Sequence, residues 1–483
     1  MTPRSRPVTT PHAPLLPLAR REFLRTTGLG CGSLALAYLL GREGYLSHGA
    51  ERKPHFAPKA KSVIWIFLTG GPSHVDTFDY KPELQKRDGQ KLAGADPKTG
   101  FFTTSGKCLK SPFKWQQHGQ SGSWISEVFA KTAAHADDMA FLHSCHSVAN
   151  NHAPASMELA AGQAKPGYPS MGAWVTYGLG SMNDNLPAFV VMHDAKPRGD
   201  DGIWSPGFLP KTYQPLVLDS RRKETIANVS RPSGLSDVRQ RAMLEALSEA
   251  NAEHQKGRAD STDLNARIRS FELAYRMQTA APEALDIARE TNRTQRLYGI
   301  DDPNCANFGR QLLMSRRLIE RGVRFVQVFS PTNRISGGAV NDVPWDGHND
   351  ILTNHRDCGM MSDTPISGLL SDLKQRDLLK DTLVIIGGEF GRTSDSQGSI
   401  GRDHNPQAYT TVLLGGGVKG GVHHGATDPF GYKAVEDKVT VYDIQATVLH
   451  LLGLEHTKLT FRHQGRDFRL TDVAGNVIKS VIA

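Results

Sequence analysis

An α/β fold around a mostly parallel central sheet is what this sequence predicts, and three observations carry the prediction. The first is the apolar run Leu383–Ile386, set between the polar pair Asp381-Thr382 and the turn Gly387-Gly388. An unbroken run of that length reads as a strand buried on both faces, as in a parallel sheet. The second is that similar runs recur between stretches of helical spacing, the texture of strand–helix units. The third is that acids, imidazoles and a guanidinium gather just after these runs. In open α/β sheets, ligands bind outside the carboxyl ends of the strands.

Ser62–Leu68, SVIWIFL, is the first expected core strand. It runs into Thr69-Gly70-Gly71-Pro72-Ser73-His74-Val75-Asp76, a glycine turn followed by a carboxylate that can ligate a metal or cap a turn. Met139–His143 reads as a second short strand. Beyond it His143, His146 and His152 lead into a small-residue helix over Ala153–Ala161, whose N-terminus would favour an anion. Pro187–Met192 is a further strand.

From Ser236 to about Glu320 the chain has helical spacing, high charge and few breakers, and reads as a mostly helical insertion covering one side of the sheet. Its last helix, Arg310–Arg321, feeds the strand Val323–Phe329. The loop Val343–Asp350 then carries Asp346 and His348, two residues apart and able to face one metal, with His355 just beyond. Ile366–Leu379 is a helical pattern that delivers the chain to Leu383. After that strand stand Glu389 and Arg392, then Asp403 and His404 on a Gly- and Ser-rich loop. Tyr409–Leu414 is a late strand and Val441–Leu452 a late packing helix.

Of the 483 residues, 39% are hydrophobic and 22% charged, ordinary for a globular protein. The net charge is +8, and part of it sits in the first 25 residues, where Arg4, Arg6, Arg20, Arg21 and Arg25 meet only Glu22. No long Lys/Arg block interleaved with aromatics is present, which argues against nucleic acid as a partner. Arg20-Arg21-Glu22-Phe23-Leu24 before the apolar stretch Thr26–Leu40 resembles a twin-arginine export signal. Gly28, Gly30, Gly32 and Ser33 interrupt that stretch, so a stable membrane span is not expected once the signal is removed. The expected location is periplasmic or extracellular, with the twin-arginine translocase as a partner during export. Cys31, Cys108, Cys145, Cys305 and Cys358 form no CxxC pair, and the four outside the leader leave zero, one or two disulfides open.

Asp76, His152, Asp346 with His348, Glu389 with Arg392, and Asp403 with His404 thus follow successive strands. A set this rich in oxygen and nitrogen suits one or two divalent ions, zinc first, with manganese, iron or calcium as alternatives.

The chain here resembles the alkaline phosphatase/sulfatase superfamily, and most of all an uncharacterised sulfatase-like branch exported by the twin-arginine route. Asp363–Glu389, DTPISGLLSDLKQRDLLKDTLVIIGGE, is similar to the sulfatase helix and strand that end in an Asp-His metal pair. His404-Asn405-Pro406 looks like the metal-binding histidine of the cofactor-independent phosphoglycerate mutases, and Val441–Gly453 is similar to the late sulfatase helix. The resemblance implies an alkaline-phosphatase-like three-layer sandwich over residues 61–475, after a signal over 1–45 and a linker over 46–60, with the helical insertion at about 236–320. It implies Asp76, Asp346 with His348 or Asp350, Glu389 and His404 as metal ligands, with Asp403 as a further ligand or as the partner that orients His404.

Two departures from that pattern matter. Phe390 stands where the family has the second ligand of its pair. His152 stands where the family has its Ser, Thr or modified Cys nucleophile, ten residues before Gly162 (162 − 152 = 10). His152 could attack directly or act as a ligand for metal-activated attack. Arg392 would stabilise the equatorial oxygens, and His146 or Asp403 would move protons. The implied activity is hydrolysis of a phosphate or sulfate ester of a small molecule or polysaccharide. The rival is a non-catalytic metal- or ligand-binding protein on the same fold, serving polysaccharide handling; an unrelated metallohydrolase using the same residue types is a third reading.

Overall fold

The computed structural model describes residues 53–483 apart from 93, 97, 220–225, 227–230, 232–233, 256–261 and 333–342. The expected export signal and residues 46–52 of the expected linker lie outside the described residues.

Eight strands set out the sheet. They are β1 (Ser62–Phe67), β2 (Met139–His146), β3 (Phe189–His193), β4 (Leu216–Asp219), β5 (Phe325–Phe329), β6 (Thr382–Gly387), β7 (Tyr409–Leu414) and β8 (Val422–His424). Their order across the sheet is β8-β2-β7-β6-β1-β5-β3-β4, and a ninth strand, Val439–Thr440, pairs beside β2. β1 lies parallel to both β5 and β6, and β3 parallel to both β5 and β4. Among the described residues of this sheet, β7 is the one strand that runs antiparallel to its neighbours. The predicted mostly parallel sheet is what forms.

Among the described residues, seven longer helices accompany this sheet: α1 (His152–Ala161), α2 (Met171–Leu179), α3 (Asp237–Gln255), α4 (Thr262–Leu285), α5 (Ala306–Glu320), α6 (Ile351–Gln375) and α7 (Val441–Leu451). Alternation along the strands divides the core. Ile64 and Ile66 of β1 pack with Leu312 of α5, Leu369 and Leu373 of α6 and Met277 of α4. Val63, Trp65 and Phe67 point the other way, to Leu159 of α1, Trp174 of α2 and Val448 of α7. Both faces are therefore dry, giving three layers, and each fully buried Val, Ile or Leu contributes about 1.5–3 kcal/mol.

Two elements differ from expectation. β2 continues three residues past His143 to His146. α6 begins at Ile351 rather than Ile366, and it passes through Pro365. Asp357, Ser362 and Asp363 are buried on it, which hides its apolar stripe from a pattern reading. Asp350 caps it, its carboxylate accepting the Thr353 N–H at 3.1 Å. Cys108, Cys145, Cys305 and Cys358 are buried free thiols.

Among the described residues, no helix is long and apolar enough to cross a membrane.

Candidate metal centre

The carboxyl ends of β1, β2, β5 and β6 open onto one place. β1 ends in Gly70-Gly71, β2 leads into α1 at His152, the chain after β5 returns through Asp346 and His348, and β6 leads to Glu389 and Arg392. A two-residue ladder, His404-Asn405 against Arg392-Gly391, brings His404 back beside them. Gly70 adopts φ +110°, and a Cβ there would lie 2.7 Å from the backbone nitrogens of Trp345 and Asp346. Only glycine lets the Asp346 loop approach β1 this closely.

His152, Asp346, His348 and His404 converge, with one ligand atom from each within 4.8 Å of the others. The His348 Nε2 and His404 Nε2 atoms are 2.9 Å apart, and His348 Nε2 is 2.9 Å from Asp346 Oδ1. His404 Nε2 lies 3.4 Å from the same oxygen. His152 Nε2 lies 3.3 Å from Asp346 Oδ2, yet it is a buried nitrogen without a hydrogen bond.

The opposite ring nitrogens explain this arrangement. His152 Nδ1 faces Glu389 Oε1 at 2.6 Å, His404 Nδ1 faces the Asn150 carbonyl at 2.6 Å, and His348 Nδ1 faces Gln397 Oε1 at 2.5 Å. Each partner is an acceptor, so each Nδ1 donates its proton and a neutral ring presents its lone pair on Nε2. Three lone pairs and a carboxylate aimed at one point repel one another unless a cation lies between them. The donor set thus fits a divalent ion of borderline softness.

The surrounding charges act on these groups in different directions. Burial by itself would raise the Asp346 carboxyl, but the Arg392 guanidinium beside it holds it well below the ordinary carboxylate range. Burial depresses His404 to about 3, so it stays neutral. Burial also opposes charge on His152, but Asp346 and Glu389 on its two sides win and raise it. Phe390, expected to mark a lost ligand, is a wall of the centre. Its ring centroid lies 4.5 Å from that of His404 and 5.0 Å from that of His152.

Other sequence candidates are placed elsewhere. Asp76, expected as a ligand, is fully buried in an ion pair with Arg402, whose Nε lies 2.7 Å from Oδ2. Ser73 Oγ donates to the same oxygen at 2.5 Å and Arg402 Nη2 lies 3.3 Å from Oδ1, so both carboxylate oxygens already have partners. Sequence reading missed Arg402 because it sits on a loop of small residues with no periodic signal. Glu389 stands behind His152, its carboxylate also accepting the Gly70 N–H at 2.9 Å. Asp403 accepts the His404 N–H at 2.8 Å and the Phe102 N–H at 2.6 Å, and so shapes two loops.

Arg392, expected to touch substrate, is fully buried. Its Nη2 lies 2.6 Å from Asp346 Oδ1, and its remaining donors go to the Gly70, Gly71 and Arg402 carbonyls. His146 ends β2 with Lys438 and Asp443 as its electrostatic neighbours, and it makes no hydrogen bond or ion pair with the cluster.

Two further imidazoles are buried and neutral. His355 accepts the Ser73 N–H at 2.8 Å, and burial depresses it to about 3. His143 lies 2.8 Å from the His423 ring, and burial depresses it to about 4. Unfolded histidines titrate near 6.5. The folded values lie below that, so their stabilisation is present above about pH 6.5 and is lost as pH falls toward 4 and then 3. Each such imidazole would contribute a slope of up to about 1.4 kcal/mol per pH unit. The denaturant midpoint is expected to be lower at pH 5 than at pH 7, with a smaller difference in His355→Gln. An unchanged difference would remove His355 from the account.

The fold and site together define an α/β protein with a side-chain set suited to a divalent metal ion. The chain belongs to the family described as Protein of unknown function (DUF1501), whose sequence model matches residues 60–482. A comparison with curated proteins found no match. Among solved structures, it is similar to the lipoteichoic acid synthase LtaP from Listeria monocytogenes, at 10% identity over 92% of this chain and 82% of that one, with a TM-score of 0.36. It is also similar to the PsFucS1 sulfatase from Pseudoalteromonas sp., at 12% identity over 88% and 72% of the two chains, TM-score 0.33. A third is the alkaline phosphatase from the Antarctic bacterium TAB5, at 10% identity over 82% and 99%, TM-score 0.31.

Proposed function

We propose that this chain is an exported, metal-dependent hydrolase of phosphate or sulfate esters, with a single ion, zinc in preference, held by His152, Asp346, His348 and His404. One observation carries the metal part: three imidazoles, each with Nδ1 committed to an acceptor, turn bare Nε2 atoms toward one carboxylate. The ester class rests on the order of motifs in the sequence, and export rests on the Arg20-Arg21 leader.

An ion bound here would polarise an ester oxygen and make a nearby water more acidic. The protein's own groups prepare that chemistry. Glu389, Gln397 and the Asn150 carbonyl fix the three tautomers. Arg392 keeps Asp346 ionised and aimed inward. Phe390 and burial close the side of His152 and His404, whose side chains are 3% exposed, while Asp346 and His348 at 15% mark the open side. His152 acts in this reading as a ligand rather than a nucleophile, because its Nε2 points into the cluster.

A second reading, a binding protein without turnover, draws on one observation. None of these four side chains has a hydroxyl or thiol among its hydrogen-bond and ion-pair partners. Elemental analysis of the purified protein beside His152→Ala, followed by a panel of phosphate and sulfate esters, separates the two. The expected result is about one divalent ion per wild-type chain, its loss in the variant, and turnover that disappears with it. A full ion complement with no turnover on any ester would overturn the hydrolase in favour of the binding protein.

A further inference from the structure

Two exposed aromatic rings stand beside the metal centre. Phe101 and Phe102 are 49% and 50% exposed, although large aromatic side chains ordinarily bury most of their surface. They do not sit on a free-standing loop. The Phe102 N–H donates to Asp403 Oδ2 at 2.6 Å, and the Gly100 carbonyl accepts from Asn150 Nδ2 at 2.9 Å. A Cβ at Gly100 would lie 2.1 Å from Asp403 Oδ2, so glycine is what lets this loop press against the centre.

The two rings reach the expected ligands themselves. The Phe102 ring meets His348 edge to face, with centroids 5.0 Å apart, and the Phe101 ring lies 5.8 Å from that of His404. Two more exposed apolar side chains stand on neighbouring segments. Val148 is on the loop whose Asn150 carbonyl faces His404, and Ile400 precedes Gly401, which packs on the His348 carbonyl. Phe, Phe, Val and Ile carry no polar handle with which to read the hydroxyls of a sugar.

We infer that the substrate is an ester whose alcohol portion is aromatic or otherwise apolar, with its anionic group at the ion and its apolar part on Phe101 and Phe102. This rests on the hydrolase reading above and narrows it. Anything held at the open Asp346–His348 side lies near the Phe102 ring, with Phe101 packed beside it at 5.0 Å, so these rings select for what is attached to the anion.

The test uses non-hydrolysable probes on the full, zinc-loaded protein. Calorimetry would compare phenylphosphonate with methylphosphonate, and benzenesulfonate with methanesulfonate. For whichever anion binds, the aryl probe is expected to bind at least about tenfold more tightly. That preference should collapse toward unity in the Phe101→Ser/Phe102→Ser double variant. It should largely return in Phe101→Leu/Phe102→Leu, which keeps apolar surface and guards against a mere loss of fold. Equal affinity of aryl and methyl probes for the wild type would overturn this inference and leave the hydrolase reading intact. No binding of any of the four by metal-loaded protein would overturn both.

Discussion

Asp346→Asn is expected to strip the centre of its ion and, by leaving the buried Arg392 charge unpaired, to lower the unfolding midpoint as well. Asp346 is the one anionic donor among the four converging side chains. It also neutralises Arg392, whose Nη2 lies 2.6 Å from Oδ1 in a fully buried position. With Asn there, the side-chain oxygen still accepts from Arg392, so the loop keeps its shape. The guanidinium charge is then unopposed, however, and it repels any cation placed among the imidazoles. Affinity should fall by more than the roughly 10–100-fold typical of losing a partner behind a ligand. Two measurements check this: the ion-to-protein ratio after equal loading, and the gain in denaturant midpoint on adding zinc. Wild type should gain stability and the variant should not. A variant that retained a full equivalent would remove Asp346 from the ligand set.

The second large effect is expected at Asp76 and Arg402, on stability rather than on metal. Both side chains are 0% exposed, and Arg402 also donates to the Thr393 and Leu109 carbonyls at 3.0 and 2.9 Å. Burial works against ionised Asp76, but the guanidinium overcomes it and holds the carboxyl below its usual range. Removing one partner strands the other charge in a dry site, which costs about 3–5 kcal/mol. Asp76→Ala should therefore lower the unfolding midpoint sharply, and the double variant Asp76→Ala/Arg402→Met should recover part of the loss. Folded Asp76→Ala should keep its ion. Loss of the ion with unchanged stability would return Asp76 to the ligand list, where its place after the first strand had suggested it belongs.

Asp76 shows how far residue type and position along the chain can lead. A carboxylate after a glycine turn at a strand end is equally suited to an ion or a guanidinium. The choice here is made by Arg402, 326 residues away. Arg392 is a similar case. Its position beyond β6 made it a candidate to grip substrate, but its donors are taken up by Asp346 and three carbonyls. The Asp346–His348 pair and His404 were legible because closely spaced ligand types at strand ends are rare by accident. His152 was legible as a site residue, yet its role depends on which ring nitrogen faces Glu389.

Taken by itself, the sequence determined the layers: apolar runs buried on both faces, helices between them, and a polar edge where the strands end. These follow from local periodicity and burial, which act over a few residues at a time. The tertiary structure alone decided which donors meet. Four side chains from α1, the loop after β5 and the loop after β6 converge. Asp76 is held instead by Arg402, and the Phe101-Phe102 loop is tied to Asp403 beside His404. The physical reason is that ion pairing, tautomer and access depend on distances of a few ångströms between residues hundreds of positions apart, which local periodicity does not encode.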